Sequence, residues 1–161
     1  MESTPLKKYS AECIGTFMLV LCGTGAIIIN QVSGGVLTHL GIAATFGLVV
    51  MALIDTLGDI SGAHFNPAVT VAFWQAKRFP AQEVLPYIFS QVMGGILAST
   101  LLWVIFPEQT TLGATIPKQG EMQSFILEIL LMFFLMFVIL NVSSGSKEKG
   151  LTAAITIGAV V

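Results

Sequence analysis

Residues 61–70 of this 161-residue chain read Ser-Gly-Ala-His-Phe-Asn-Pro-Ala-Val-Thr and lie between two long apolar segments. Asn followed by Pro is a helix-start signature, because the Asn side chain caps free backbone N–H groups and Pro fits the first helical position. A helix that begins there is expected to end near residue 76, since Lys77 and Arg78 follow. Crossing a bilayer takes roughly 20 apolar residues. The stretch therefore predicts a half-helix whose positive end points at something inside the protein.

The composition indicates a membrane protein. Apolar residues make up 55% of the chain and charged residues only 10%, against roughly 25% charged in soluble domains. Four apolar runs are long enough to span a bilayer, namely residues 11–29, 36–54, 88–106 and 124–142. A fifth run begins at Leu151 and reaches Val161. The formal net charge of −2 gives no indication of a nucleic-acid partner.

The distribution of cations predicts the orientation, because cytoplasmic loops of membrane proteins are enriched in Lys and Arg. We place the N-terminus in the cytoplasm and let the half-helix enter and leave from that side. The cytoplasmic cations are then Lys7, Lys8, Lys77, Arg78, Lys147 and Lys149, and only Lys118 lies outside. If the short segment crossed the membrane fully, Lys77 and Arg78 would move to the outer face. The re-entrant arrangement is therefore favoured.

A weak internal repeat relates residues 43–50 to residues 153–161 with one insertion, and aligns Glu12 on Glu128. Three elements followed by three of opposite direction would form an inverted repeat, a common plan of channels and transporters.

We expect one incomplete domain over residues 1–161, with a first repeat over 1–106 and the start of the second over 122–161. On this alignment the partner of Asn66 is expected beyond Val161. For this reason the 161-residue chain alone is predicted to conduct little.

These features resemble the major intrinsic protein family, the aquaporins and glycerol facilitators. The likeness extends over essentially the whole chain and is strongest towards the bacterial water channels. The matching motifs are residues 11–17, the Asn-Pro-Ala box within 61–69, Arg-Phe-Pro at 78–80, and Gln91 with Gly94 and Gly95. The resemblance implies an all-α membrane bundle, here with four full spans, one re-entrant half-helix and part of a fifth span. It also implies a homotetramer in the plasma (inner) membrane and no cofactor.

The resemblance implies a passive channel for water, with small neutral solutes as further permeants. The half-helix would carry about half a positive charge at its N-terminus, which opposes cations and protons. In the box Asn66-Pro67-Ala68, the Asn66 amide would donate a hydrogen bond to passing water. Three residues before it are expected to present backbone carbonyls to the pore: Gly62, Ala63 and His64.

Three further residues have roles by the same resemblance. Phe46, twenty residues before Asn66, matches the aromatic side chain that narrows the pore of water-selective members. Glu12 and Glu128 would accept hydrogen bonds from the backbone of two re-entrant loops. An ionisable group inside a span is unfavourable unless it is paired or near the surface. We therefore expect Glu128, five residues into its span, to be buried.

Plainer interpretations stay open for several residues. Asn66 is also explained as an ordinary helix cap, His64 as a packing residue and Phe46 as core or lipid-facing filling. Glu12 is also explained as a carboxylate at the membrane surface near the first two lysines.

Asp55 and Asp59 lie one helical turn apart at the cytoplasmic end of the second span, where solvated carboxylates are common. Many relatives have His in place of Asp59. No catalytic or metal-ligating arrangement accompanies the two carboxylates in the sequence, so we do not expect an enzyme.

Two alternative functions remain. An ion-coupled transporter with discontinuous helices would need an intramembrane carboxylate that faces the substrate, and Glu128 is the only deep candidate. A non-conducting fragment or assembly protein is the other alternative.

Overall fold

The computed structural model describes residues 4–118, 120–143 and 151–161, which form helices and connecting loops without any strand. The helices are α1 (Pro5–Val32), α2 (Thr38–Ser61), α3 (Pro67–Gln75), α4 (Ala81–Ile105), α5 (Glu121–Val142) and α6 (Leu151–Gly158). Four of them, α1, α2, α4 and α5, are long and apolar enough to cross a membrane. The predicted all-α membrane fold with four spans is confirmed. Lys147 and Lys149 lie outside the described residues.

The spanning helices are longer than the apolar runs that predicted them. Helix α1 begins at Pro5 instead of residue 11, and α4 begins at Ala81 instead of residue 88. The hydropathy criterion ends a span at the first charged residues, whereas a helix continues into the polar surface of the membrane. The outward faces of the bundle carry large apolar side chains, such as Phe125, Phe133 and Phe137 on α5.

Helix α3 has nine residues and is therefore about 14 Å long, less than half of a bilayer crossing. Its first turn lies near the middle of α4, where Gln91 Nε2 donates to Thr70 Oγ1 at 2.9 Å. Its far end leads into Arg78, which bonds to the last turn of α5, and then into the start of α4. The loop before α3 thus enters the bundle, and α3 brings the chain back to the end from which the loop entered.

Glycines allow the closest helix contacts. A Cβ atom at Gly94 of α4 would overlap the carbonyl oxygen of Cys13 in α1. Gly47 of α2 and Gly158 of α6 face each other reciprocally, since a Cβ on either would overlap the carbonyl oxygen of the other. Such close approach through small residues is typical of membrane helix pairs. The reciprocal contact joins the two segments that align as a repeat, although the repeat and its boundaries stay a prediction.

The cations segregate between the two ends of the bundle. Tyr9 Oη donates to Glu83 Oε2 at 2.8 Å, so the start of α1 lies beside the start of α4. At the other end, Gly113 of the α4–α5 loop packs against the backbone of Thr24 in α1. Of the described cations, only Lys118 belongs to that second end. Which end is cytoplasmic stays a prediction.

Candidate functional site

The loop of residues 62–66, between α2 and α3, has an unusual backbone. Gly62, Ala63 and Phe65 have positive φ angles of 86°, 52° and 47°. Glycine adopts this region freely, whereas other L-residues pay about 1–2 kcal/mol each. The loop conformation must therefore be held by contacts with the surrounding helices.

The side chain of Glu12 from α1 makes most of these contacts and is fully buried. Its Oε1 accepts from Ser61 Oγ at 2.7 Å and from the His64 backbone N–H at 3.0 Å. Its Oε2 accepts from the Phe65 backbone N–H and from Gln91 Nε2, both at 2.8 Å. Two donors at each oxygen leave no place for a proton, so this environment is built for the ionised carboxylate. The interpretation of Glu12 as a surface carboxylate is excluded.

The orientation of the loop peptides follows from these hydrogen bonds. The backbone N–H of Ala63 donates to Ser61 Oγ at 3.1 Å. Three consecutive N–H groups, those of residues 63, 64 and 65, therefore point towards Ser61 Oγ and the Glu12 carboxylate. In a trans peptide the N–H of one residue and the C=O of the preceding residue point in opposite directions. The carbonyl oxygens of Gly62, Ala63 and His64 therefore point away from Glu12.

Those three carbonyl oxygens accept no hydrogen bond from any described residue. The same three residues line an open cavity of about 720 Å³ between the ends of α2, α3, α5 and α6, here called the mouth cavity. Asp55 and Asp59 also line it, with neither an ion pair nor a hydrogen bond to a side chain of the described residues.

A second set of bonds fixes the imidazole of His64, which is 8% exposed. Thr70 Oγ1 donates to the Asn66 carbonyl at 3.2 Å and accepts from Gln91 Nε2 at 2.9 Å. His64 Nδ1 lies 3.1 Å from the same oxygen. Since the single hydroxyl proton is directed at Asn66, Nδ1 must be the donor, and the network assigns the proton of the ring to Nδ1.

Aromatic side chains surround the His64 ring. It stacks on Phe73 with ring centroids 4.7 Å apart and lies 4.8 Å from Phe79 and 5.3 Å from Tyr87. Tyr87 Oη donates to the Ser61 carbonyl at 2.7 Å. Helix α4 thereby holds the start of the loop through Tyr87, and α3 packs on the His64 ring through Phe73.

Asn66 is the N-cap of α3. Its Oδ1 accepts from the Ala68 backbone N–H at 2.8 Å, and Pro67 takes the first helical position. The Asn66 side chain is half-buried, and its NH₂ group donates to no described residue. The cap therefore uses only the oxygen of the amide.

Two predicted residues lie away from this loop. The Phe46 ring packs on α1, where a Cβ atom at Gly23 would overlap it, and it does not line the mouth cavity. Glu128 is exposed on α5. The expectation that it is buried is wrong for this structure, because no described helix packs over that face of α5, where Phe125 and Leu131, three positions to either side, are exposed as well.

Part of this network is not predicted by the sequence pattern. Gln91 is the one signal available in the sequence, because a polar residue in the middle of an apolar span indicates a buried partner. Thr70, Tyr87 and Ser61 gave no such signal, since Thr, Tyr and Ser are ordinary residues at such positions.

Comparison with known proteins gives consistent matches. Residues 1–161 match the sequence model of the family described as Major intrinsic protein. The chain is 40% identical to Nodulin-26 of Glycine max, over 97% of this chain and 58% of that protein. It is 43% identical to aquaporin NIP6-1 of Arabidopsis thaliana, over 96% of this chain and 51% of that protein. The chain thus spans about half the length of these relatives.

The fold is also similar to a solved structure, the aquaglyceroporin from Plasmodium falciparum. The TM-score is 0.79 at 22% sequence identity, over 98% of this chain and 70% of the other. At that identity the likeness shows the fold alone. The two relatives named above are plant proteins, so the likeness to bacterial water channels in particular stays a prediction.

Proposed function

The chain belongs to the major intrinsic protein family, and from that premise we propose that it forms a passive transmembrane channel for water and small neutral solutes. The members of this family are channels, and the chain is not an enzyme. The observation that carries the proposal is the orientation of the loop peptides at residues 62–64. The N–H groups of His64 and Phe65 donate to a buried carboxylate, and the N–H of Ala63 donates to Ser61 Oγ. The preceding carbonyl oxygens face away from that carboxylate, on a loop that lines an open cavity.

Water that leaves bulk solution must exchange its hydrogen bonds for others along the path. In the proposed channel the carbonyls of Gly62, Ala63 and His64 accept from the water hydrogens. The free NH₂ group of Asn66 donates to a water oxygen. Irregular backbone at this depth is tolerated where it lines such a cavity. The positive end of α3, which begins at Pro67, opposes cations and protons at the same level.

The remaining parts of the proposal depend on the family. Phe46 narrows the path near the opposite end of α2, and Glu128 holds a second re-entrant loop as Glu12 holds the first. The protein is a homotetramer in the plasma membrane with a cytoplasmic N-terminus. An ion-coupled transporter is less well supported, because Glu128 does not line the mouth cavity.

Stopped-flow light scattering of proteoliposomes tests the proposal. The full product of the gene that encodes these residues is reconstituted and given an osmotic step without an ion gradient. We expect water flux above that of empty liposomes, with a low activation energy. Flux no higher than in empty liposomes would refute the channel.

Asn66→Asp tests the amide. The change keeps an oxygen that caps α3 but replaces the NH₂ donor by a charge, so we expect normal folding with strongly reduced water flux. Asn30→Asp is the matched control, because Asn30 Oδ1 accepts from the Thr38 backbone N–H at 2.9 Å in an exposed turn. Wild-type flux in Asn66→Asp would rule out the proposed role of the amide.

A further inference from the structure

Arg78 joins two segments that are distant in the sequence. It lies in the turn after α3, and its Nη1 donates to the carbonyl oxygen of Leu140 at 2.8 Å. Leu140 belongs to the last turn of α5. A cation is favoured at this end of a helix, and hydrogen bonds from charged donors are the stronger ones. The bond therefore ties the exit of the half-helix to the end of a spanning helix.

This bond is the polar end of a longer contact between α3 and α5. Deeper in the bundle, Val69 of α3 shares one buried apolar cluster with Met136 and Ile139 of α5. Val50 of α2 and Ile157 of α6 complete the cluster. The apolar cluster holds the inner parts of these helices together, and Arg78 holds their ends.

The position of Arg78 relates this bond to the mouth cavity. Arg78 lines that cavity together with Ile139 of α5 and the loop residues Gly62 and Ala63. Asp59 lines it as well, yet Arg78 forms no ion pair with it or with any other described residue. The guanidinium group is thus directed at the helix end and not at a carboxylate.

We propose that Arg78 is a positioning residue of the mouth cavity, which keeps the end of α5 at a fixed distance from α3 beside the loop carbonyls. The inference rests on the proposed channel function, since the spacing of these two elements sets the width of the path there. Removal of the bond lets the last turn of α5 move and changes the permeability without changing any group that contacts the solute at the loop.

The test compares Arg78→Gln, Arg78→Lys and Lys77→Gln in the full gene product. Lys77 is the adjacent exposed cation, and no described residue bonds to its side chain, so its change controls for the loss of one charge. Hydrogen exchange of residues 137–143 reports on the bond itself, and stopped-flow water flux per folded protein reports on the path.

For Arg78→Gln we expect exchange in the last turn of α5 to rise about three- to tenfold, the range for one charged but exposed hydrogen bond. Water flux is expected to change roughly two- to threefold, the lower end of what a coupled contact carries. Arg78→Lys should restore part of both effects, and Lys77→Gln should alter neither.

Unchanged exchange in Arg78→Gln would overturn the tie between α3 and α5. Faster exchange with wild-type flux would overturn the role in the mouth cavity. If the wild-type protein itself passes no water, the proposed function fails and the role in permeation fails with it. The exchange data then still decide whether Arg78 holds the end of α5.

Discussion

Replacement of Glu12 by Gln puts an NH₂ donor where a carboxylate oxygen now accepts two hydrogen bonds. If Oε1 is replaced, Ser61 Oγ and the His64 N–H lose their acceptor; if Oε2 is replaced, the Phe65 N–H and Gln91 Nε2 lose theirs. Each orientation of the amide leaves at least one backbone N–H, that of His64 or that of Phe65, facing another donor, although the Ser61 hydroxyl and the Gln91 amide can turn to accept. The variant therefore has no arrangement that satisfies the loop.

The magnitude follows from this count. A buried donor without a partner costs about 1–3 kcal/mol, and the hydrogen bonds that Ser61 and Gln91 give up when they turn add to this cost. Removal of the buried charge recovers part of its desolvation cost, and we expect a net loss of about 1–3 kcal/mol. The positive φ angles of Ala63 and Phe65 are then no longer held, and the loop relaxes.

Thermal unfolding in detergent, hydrogen exchange of residues 62–66 and water flux of the full gene product measure the effect of Glu12→Gln. Glu83→Gln is the matched control, because Glu83 is half-buried and accepts only from Tyr9 Oη, which an amide oxygen still allows. We expect Glu12→Gln to lower the unfolding temperature, speed exchange in the loop and abolish flux, and Glu83→Gln to change little. Wild-type stability and flux in Glu12→Gln would refute the reasoning that the loop needs both carboxylate oxygens.

Other variants test neighbouring contacts by thermal unfolding in detergent. Gly94→Ala inserts a Cβ against a backbone carbonyl of α1 and is expected to lower stability by about 1–3 kcal/mol. Gly95→Ala, whose Cβ would find its nearest atom 3.9 Å away, should be neutral or stabilising, and equal losses in both would contradict the assigned packing. At Ala63, whose φ is 52°, Gly should be tolerated and Val should destabilise, and equal stability of the two would speak against the strained loop. Tyr87→Phe removes a buried 2.7 Å hydrogen bond and should lower stability by about 1–2 kcal/mol. Tyr9→Phe, at a half-buried site, should lose less, and the reverse order would be inconsistent with the structure.

The features that could be predicted from the sequence are those that depend on neighbouring residues. The start of α3 follows from Asn66 and Pro67, because a capping amide and a fixed φ act within one turn. The spans follow from runs of apolar residues, although their ends do not, since helices continue past the hydrocarbon. The all-α fold with a half-helix needed nothing more.

The network around Glu12 could not be predicted in this way. It joins α1, the loop and α4, and the separations of its members range from 49 to 79 residues. The family resemblance suggested that Glu12 holds the loop, but it indicated neither the shared role of Gln91 nor the positive φ angles of Ala63 and Phe65. A residue with such an angle is strained, and the conformation is stable only when an acceptor on another helix forms hydrogen bonds with the N–H groups of the loop. Local propensity contains no information about that acceptor.

In the proposed channel, the groups that orient the loop are therefore not the groups that face the path. A loop buried among membrane helices has about as many backbone N–H donors as C=O acceptors. If both kinds of group faced the same side, water would bind there in no fixed orientation. Glu12 separates them, since it binds the N–H groups at 64 and 65 while Ser61 takes the one at 63. Peptide planarity then turns the preceding carbonyls to the opposite side. A single carboxylate behind the loop thus makes its other face a row of acceptors, and a substitution at Glu12 changes that face without touching any group on it.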